Sequence, residues 1–440
     1  MRMLLQLAAV VSLAAADDGT SYFRDVRPIL QRSCQGCHQP SVKQGGLDLT
    51  SYALLAKGGS RGPAIPLLID YVTGKRQPRM PLGASPLAGD QIELLRKWVA
   101  AGGRDDTPSG AEERFSLDKP PVYSQPPLIN ALAYSPDGAL LAVSGYREVL
   151  LHKADGSGIA ARLPGKSDRI HSLLFAKDGK TLIAAGGTPA RFGEVQIWDV
   201  ATRKMERSIS VGSDTVFGAS LSPDGTLVAV GCTDNSLRVF EVATGKETQK
   251  IPHHENWVLG TAFGVNGKRI VSVGRDRAAK LTDSASGQFI ENVNLLRGEL
   301  SAIARHPTRD FVAIGGEERV PYYYMMDRPR VMKVADDTTL IRKLEMQDGV
   351  ILALAFSPDG NHIAVAGAAD QIRLYSTATG DRTAALKGHK AGIYALAFHP
   401  NGKQLAAAGF DGHVRIYDVA AGTLAKDFVP VEITTVAERR

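Results

Sequence analysis

Two patterns of hydrophobic and polar positions divide the chain. In residues 20–106, apolar side chains recur at spacings of three and four, as in "YFRDVRPILQRSC" and "DQIELLRKWVAAGG". This spacing places apolar side chains on one face of an α-helix. Glycine pairs and prolines separate the two stretches, and Gly102–Gly103 ends the second one. The pattern therefore predicts a small, loop-rich all-α unit with an amphipathic helix at each end.

From residue 128 onward, the pattern changes to short apolar runs joined by glycine-containing turns, as in "LAFSPDGNHIAVAG". Glycine tolerates the positive φ of a tight turn, so each unit predicts a β-hairpin. The turn glycines lie at steps of 41, 46, 42, 93 and 42 residues and are Gly138, Gly179, Gly225, Gly267, Gly360 and Gly402. The step of 93 spans two units, with Arg309 where the fifth turn glycine would stand. The sequence therefore predicts seven units.

Each unit continues with a third strand, such as "VQIWDV" or "VRIYDV", and often with a fourth after "ATG". A four-stranded sheet has bare edges and faces, so it must stack on its neighbours. The repeat resembles the WD40 family over about residues 128–430, although Trp198–Asp199 is the only literal Trp-Asp pair that ends a third strand. The resemblance implies an all-β seven-bladed WD40-like propeller over residues 128–440.

The start of the chain has the pattern of a secretory signal peptide. Arg2 precedes an apolar stretch, and Ala14 and Ala16 fit a cleavage site after residue 16. We therefore expect a signal peptide at 1–16, the helical unit at 17–106, a proline-rich linker at 107–127 and the propeller after it. The signal peptide leads us to expect a periplasmic or otherwise secreted bacterial protein. Because no other apolar run is long enough to span a bilayer, we expect no transmembrane segment in the mature chain.

Charge and cysteine content narrow the function classes. The 440 residues carry 52 Lys and Arg against 46 Asp and Glu, a net charge of +6, with no block of like charges. A nucleic-acid partner is therefore not indicated. The three cysteines are too few for a disulfide framework. We expect Cys232, after the apolar run "LVAVG", to be a buried free thiol.

The other two cysteines belong to the motif Cys34-x-x-Cys37-His38. Cysteines three apart share one face of a helical turn, so two thiols can bond the vinyl groups of a porphyrin while the imidazole binds the iron. A structural zinc site lacks nearby Cys or His ligands, a thioredoxin-like dithiol normally follows a strand, and a plain disulfide leaves His38 unexplained. The motif predicts one covalently attached haem c, a group that is attached outside the cytoplasm.

A second iron ligand is expected from Met80, because residues 17–127 contain no other Met and no His besides His38. Met80 sits in "KRQPRMPLG", where the prolines keep the segment extended. A plain apolar Met filling a loop is the alternative. The nearby Lys75, Arg76 and Arg79 suit either an acidic redox partner or haem propionates, or are ordinary solvated charges.

Over residues 20–106 the chain resembles the short planctomycete-type cytochrome c domain, on "FRDVRPILQRSCQGCH", "GGLDLTSYALLAKGGSRGPAI", "PRMPLGASPL" and "IELLRKWVAAGG". The resemblance implies thioether bonds from Cys34 and Cys37, proximal ligation by His38 and distal ligation by Met80. One departure is the short "IPLLIDYVTG", where the family has a longer loop. The whole chain resembles fused cytochrome c–WD40 proteins, whose genes lie beside large secreted proteins with cytochrome-like domains, and this implies a protein partner.

Three functions follow as expectations. The first is electron transfer through a His/Met-ligated haem, with the propeller as a docking scaffold and no catalytic residue assigned. The second is a periplasmic oxidoreductase whose propeller holds a second cofactor, such as haem d1 or a quinone. The third is a binding module, for which the Tyr- and Met-rich segment 318–343 offers either a docking surface or a half-buried strand and loop. Histidines of the repeats, His389 with Asp411 and His253 or His254, are expected to brace the blades.

Overall fold

The computed structural model describes residues 19–35, 37–38, 44–82, 85–107, 119–295, 297–326 and 337–434. Contacts divide the chain into two compact units, within residues 1–113 and 114–440. The signal peptide expected at 1–16 lies outside the described residues, as does most of the expected linker. Among the described residues, the helices are all too short or too polar to cross a membrane.

The first unit contains only short helices. They are a π-helical turn at Tyr22–Val26, α1 (Arg27–Ser33), a 3-10 turn at Gln44–Gly46, α2 (Tyr52–Lys57), α3 (Ala64–Val72) and α4 (Gly89–Ala100). Ser21 and Ser51 cap two of these elements by accepting hydrogen bonds from the backbone N–H groups of Arg24 and Leu54. The predicted helices at the two ends of this unit are therefore present.

The core of the first unit joins its first and last helical segments. Tyr22, Leu30 and Trp98 are buried, and the rings of Tyr22 and Trp98 lie 5.6 Å apart. The π-helical turn places Tyr22, rather than the neighbouring Phe23, in the core, because i to i+5 hydrogen bonds shift the buried face. One such bond runs from the Val26 N–H to the Ser21 carbonyl, at 3.1 Å.

The second unit consists of seven four-stranded antiparallel sheets, each built from consecutive strands. Blades 1 and 2 comprise β1 (Leu132–Tyr134), β2 (Leu140–Ser144), β3 (Glu148–Lys153), β4 (Ile159–Pro164), β5 (Arg169–Phe175), β6 (Thr181–Thr188), β7 (Phe192–Asp199) and β8 (Lys204–Gly212). Blades 3 and 4 comprise β9 (Val216–Leu221), β10 (Leu227–Cys232), β11 (Leu237–Glu241), β12 (Glu247–Ile251), β13 (Val258–Phe263), β14 (Arg269–Gly274), β15 (Ala279–Asp283) and β16 (Phe289–Asn292). Blades 5 to 7 comprise β17 (Leu300–Arg305), β18 (Phe311–Gly316), β19 (Tyr322–Met325), β20 (Leu340–Lys343), β21 (Ile351–Phe356), β22 (His362–Gly367), β23 (Ile372–Ser376), β24 (Arg382–Leu386), β25 (Ile393–Phe398), β26 (Gln404–Gly409), β27 (Val414–Asp418) and β28 (Thr423–Phe428).

The first strand of every blade contacts the first strands of both neighbouring blades, so seven innermost strands form a closed ring. The predicted seven-bladed all-β propeller is thereby confirmed. We call the face where the innermost strands begin the top face. It also carries the turn between the second and third strands of each blade, and the Pro-Asp-Gly turns lie on the opposite, bottom face.

The ring closes where blade 7 meets blade 1. Buried apolar side chains from both blades form one cluster there, which includes Leu132, Leu141 and Ala406. The segments that flank the propeller add to this closure, because Tyr123 pairs with Ile433 in a parallel bridge. Both ends of the second unit are therefore tied into the same junction.

The tyrosines of segment 318–343 belong to the core. Tyr322, Tyr323 and Tyr324 form β19 and are all buried. Of the two expectations for this segment, the docking surface is therefore wrong for the tyrosines, since the third strand of a blade is covered by both neighbouring blades. Residues 327–336 of the same segment lie outside the described residues.

The repeat histidines differ from one another. His254 fits the expected role, because its Nδ1 bonds Asp276 at 2.9 Å and its Nε2 bonds the Ser272 hydroxyl at 2.8 Å. The expected direct pair of His389 and Asp411 is replaced by a bridge. Arg415 Nη1 donates to His389 Nδ1 at 3.2 Å and to Asp411 Oδ2 at 2.7 Å. Cys232 is buried, as expected.

Candidate functional site

The first unit contains a cavity of about 510 Å³. The sequence-predicted residues Cys34, Cys37, His38 and Met80 all line it. The rest of the lining is mainly aliphatic and includes Leu47, Leu49, Leu55, Ala64, Leu67, Leu68, Val72 and Leu82. Side chains that are far apart in the sequence therefore meet at one apolar space, which α2, α3 and the segments around Cys34 and Met80 enclose.

The Cys-x-x-Cys-His segment follows directly on α1, which ends at Ser33. The Cys34 N–H donates to the Leu30 carbonyl at 2.9 Å, and the His38 N–H donates to the Cys34 carbonyl at 3.1 Å. This turn brings both thiols and the imidazole to the same cavity, as the spacing predicts. Both cysteines are free thiols, so the plain-disulfide alternative is not what the structure contains. Burial, with the neighbouring Cys37 as a smaller cause, raises the pKa of the Cys34 thiol to about 11.

The His38 ring is oriented by the backbone. Its Nδ1 lies 2.9 Å from the Gln44 carbonyl oxygen, so Nδ1 donates the proton and Nε2 is left as the free electron-pair donor. Burial lowers the pKa of His38 against the opposing effect of that hydrogen bond. The ring is therefore neutral at pH 7. A neutral imidazole whose second nitrogen donates to a carbonyl is the usual arrangement of a metal-binding histidine.

The segment that carries Met80 is anchored to the end of α3. The Met80 N–H donates to the Tyr71 carbonyl at 3.0 Å, and the Arg76 N–H donates to the Asp70 carbonyl at 3.0 Å. The guanidinium of Arg61 donates to the Gln77 carbonyl at 2.9 Å. These contacts fix the backbone up to the methionine, whose half-buried side chain lines the cavity. The expected extended segment is wrong, because the backbone runs through a series of bends at residues 75–78 and 80–81.

The charged residues around this segment differ in their contacts. Arg76 pairs with Asp70 at 3.5 Å, and both Lys75 and Arg79 are exposed. Arg61, which sequence reasoning did not single out, is the basic side chain that lines the cavity. Its position in the glycine-rich "GGSRGPAI" carries no motif, so only the fold reveals that it lies beside Gln77. Sequence reasoning also missed Gln44, because its contact with His38 is made by the backbone carbonyl and does not depend on the side chain.

Comparison with known proteins bears on the second unit. The family model "WD domain, G-beta repeat" matches residues 204–241, 245–283, 338–376 and 380–418. Each match begins at the outermost strand of one blade and ends with the third strand of the next, as β8 to β11 illustrate for the first. Each matched repeat thus contributes its first strand to one blade and its other three strands to the next.

Several curated proteins are similar to parts of the chain. "Transcription factor unc-37" of Caenorhabditis elegans is 33% identical over 176 residues, which is 39% of this chain and 28% of that protein. "WD repeat and SOCS box-containing protein 1" of Danio rerio is 31% identical over 135 residues, which is 29% of this chain and 31% of that protein. "Autophagy-related protein 16" of Arabidopsis thaliana is 21% identical over 205 residues, or 46% and 40% of the two chains. The chain thus spans less than half the length of each of these relatives, and it carries WD40 repeats within a seven-bladed β-propeller.

Proposed function

We propose that this protein is a c-type cytochrome that transfers single electrons, with the propeller serving to dock a partner protein. The observation that carries the proposal is that Cys34, Cys37, His38 and Met80 line one apolar cavity of about 510 Å³. Cavities of this size and lining are typical of sites for cofactors and other small molecules. Two free thiols, a neutral imidazole and a thioether are the side chains that a covalently attached His/Met haem requires.

The described residues suit such a group in three ways. Cys34 and Cys37 would hold it through thioether bonds, and His38 would bind the iron through Nε2. The Gln44 carbonyl orients the imidazole, and the Tyr71 carbonyl holds the backbone of Met80. When bound, haem c supplies one-electron redox chemistry, and ligation by a thioether favours a relatively high reduction potential.

Solvent access to the cavity also supports electron transfer. Cys37 is exposed, and Leu82 retains 59% of its accessible surface, although both line the cavity. One edge of a bound group would therefore lie close to the protein surface, where a redox partner can approach. If His38 and Met80 both bound the iron, no coordination position would remain open for a substrate. For these reasons electron transfer suits the site better than catalysis.

The location and partner form part of the same proposal. A signal peptide at 1–16 would export the protein to the periplasm or beyond, where haem c is attached. WD40 propellers generally mediate protein–protein interaction, so the second unit is the part that would bind a redox partner. A large secreted protein with cytochrome-like domains is the partner class that we propose.

The experiment that tests this function is the visible spectrum of the full-length protein, oxidised and reduced, after co-expression with haem-maturation machinery. We expect a covalent, low-spin c-type spectrum with a sulfur-to-iron charge-transfer band. Met80→Ala should lose that band, and the control Met346→Ala, which removes an exposed methionine of the propeller, should keep it. Failure to incorporate haem would refute the cytochrome assignment.

Two other outcomes of that spectrum would favour the oxidoreductase instead. A high-spin wild-type iron would mean that Met80 leaves a coordination position open for a substrate. Absorption bands beyond those of haem c would mean that a second cofactor is bound elsewhere in the chain. Neither result is expected for a simple electron carrier.

A further inference from the structure

A ladder of ring side chains crosses the top face of the propeller. His171 of blade 2 lies 5.0 Å from Phe217 of blade 3, and Phe217 stacks on Trp257 of blade 4 at 5.8 Å. The guanidinium of Arg275 lies over the Trp257 ring, at 4.2 Å from its centre. All three rings are half-buried. The ladder therefore presents ring surface to solvent, rather than filling the core of a blade.

An exposed arginine stands at each end of the ladder. Arg169 stands at the His171 end and Arg275 at the Trp257 end, and both are exposed. Burial, and next the charge of Arg169, lower the pKa of His171 to about 4, so this ring is neutral at pH 7. The carboxylate beside Arg275, Asp276, is occupied by His254. Of the other carboxylates in these segments, Asp168 pairs with Arg147, and Asp214 accepts a hydrogen bond from the Ala190 N–H. Glu255, two residues before Trp257, is exposed.

Several exposed apolar side chains lie in the loops of the top face. Among the described loops between strands, the large apolar side chains that stand exposed are Tyr146, Leu295, Met346 and Phe410. All four belong to top-face loops, and Phe410 retains 65% of its accessible surface. The bottom-face turns carry polar sequences such as "SPDG". An interface is expected where exposed aromatic and apolar side chains gather with arginine.

We propose that the ladder His171–Phe217–Trp257, with Arg169 and Arg275 at its ends, binds an acidic segment of a partner protein that carries at least one aromatic or large apolar side chain. The arginines would pair with carboxylates, and the Phe217 and Trp257 rings would stack against the apolar side chain. Arginine and tryptophan are the side chains that most often dominate the affinity of such an interface. This site is independent of the haem cavity and uses other residues.

The test is a selection from a random library of short displayed peptides, panned against the full-length protein at low salt. We expect the selected peptides to be rich in Asp and Glu around an aromatic or large apolar residue. Their affinity, measured by fluorescence anisotropy, should fall about tenfold or more in Trp257→Ala and in Arg275→Glu. It should also fall as salt is raised, because the arginine contacts are solvent-exposed.

A control variant on the same blade distinguishes the loss of a contact at the ladder from the effect of a changed net charge. Lys268 is exposed in the bottom-face turn of blade 4, so Lys268→Glu changes the charge as Arg275→Glu does but on the opposite face. We expect it to bind the peptides as the wild type does. The absence of enriched peptides, enrichment of neutral or basic ones, or equal loss in Lys268→Glu would overturn the proposal. Binding of an acidic oligosaccharide, but of no peptide, would assign the ladder to a different class of ligand and overturn it equally.

Discussion

The junction between blades 1 and 7 contains a buried carboxylate whose removal should destabilise the propeller. Glu148, at the start of β3, has no accessible surface. Its carboxylate accepts hydrogen bonds from the Tyr123 hydroxyl at 2.8 Å and from Arg162 Nε at 2.7 Å, and Arg162 Nη2 forms a third. Arg162 also donates to the Pro121 carbonyl at 2.7 Å. Glu148 therefore holds the segment that pairs with Ile433.

The size of the effect follows from these contacts. Glu148→Ala leaves the Arg162 guanidinium, of which 26% is exposed, without its anion, and it leaves the Tyr123 hydroxyl without its acceptor. Removing one partner of a buried ion pair costs about 3–5 kcal/mol. Because each 1.4 kcal/mol is a factor of ten, the unfolding equilibrium constant should rise by about a hundredfold to a few thousandfold.

Urea unfolding of the full-length protein, followed by the fluorescence of Trp198 and Trp257 in the propeller, measures this change. The control is Glu206→Ala, which removes an exposed carboxylate from the outer strand β8. The control should cost less than about 0.5 kcal/mol. The double variant of Glu148→Ala with Arg162→Ala should cost clearly less than the sum of the two single changes, because the two side chains share one interaction. A loss below about 1 kcal/mol in Glu148→Ala would refute the reasoning.

Three further predictions concern the haem cavity and the acid stability of the propeller. Arg61→Ala removes the hydrogen bond to the Gln77 carbonyl, so added imidazole should displace Met80 from the iron about fivefold more easily. Arg61→Lys should recover part of the lost resistance to imidazole. Spectroscopic titrations that are unchanged in both variants would contradict this role. Cys34→Ala should leave haem bound by a single thioether, and the double variant with Cys37→Ala should release haem into acidified acetone; release from wild type would contradict covalent attachment. The folded state keeps His171 neutral down to about pH 4, whereas the unfolded chain binds the proton near pH 6.5. The wild-type melting temperature should therefore fall as the pH drops between these values. It should fall less steeply in His171→Phe, which has no ring nitrogen to protonate. Equal slopes in both proteins would show that this ring does not contribute.

The sequence determined those features that depend on neighbouring residues. The number of blades follows from the spacing of the turn glycines, because the tight hairpin turn requires a positive φ in six of the seven blades. Blade 5, with Arg309 at this place, is the exception. Positive φ at Gly138, Gly225 and Gly402 matches that requirement. The grouping of Cys34, Cys37 and His38 is equally local, since one helical turn brings them to the same side. Met80 could be chosen because residues 17–127 contain no other methionine.

Tertiary structure decided the features that join distant segments. The Gln44 carbonyl orients His38, and Arg61 holds the segment before Met80, but neither contact leaves a periodic signal. The ladder of His171, Phe217 and Trp257 joins three blades, so its members are at least 40 residues apart in the sequence. The aromatic run Tyr322–Tyr324 had the composition of an interface, yet β19 is a third strand with blades on both sides. Composition shows which side chains are present, whereas burial and pairing depend on the neighbours that the closed ring supplies.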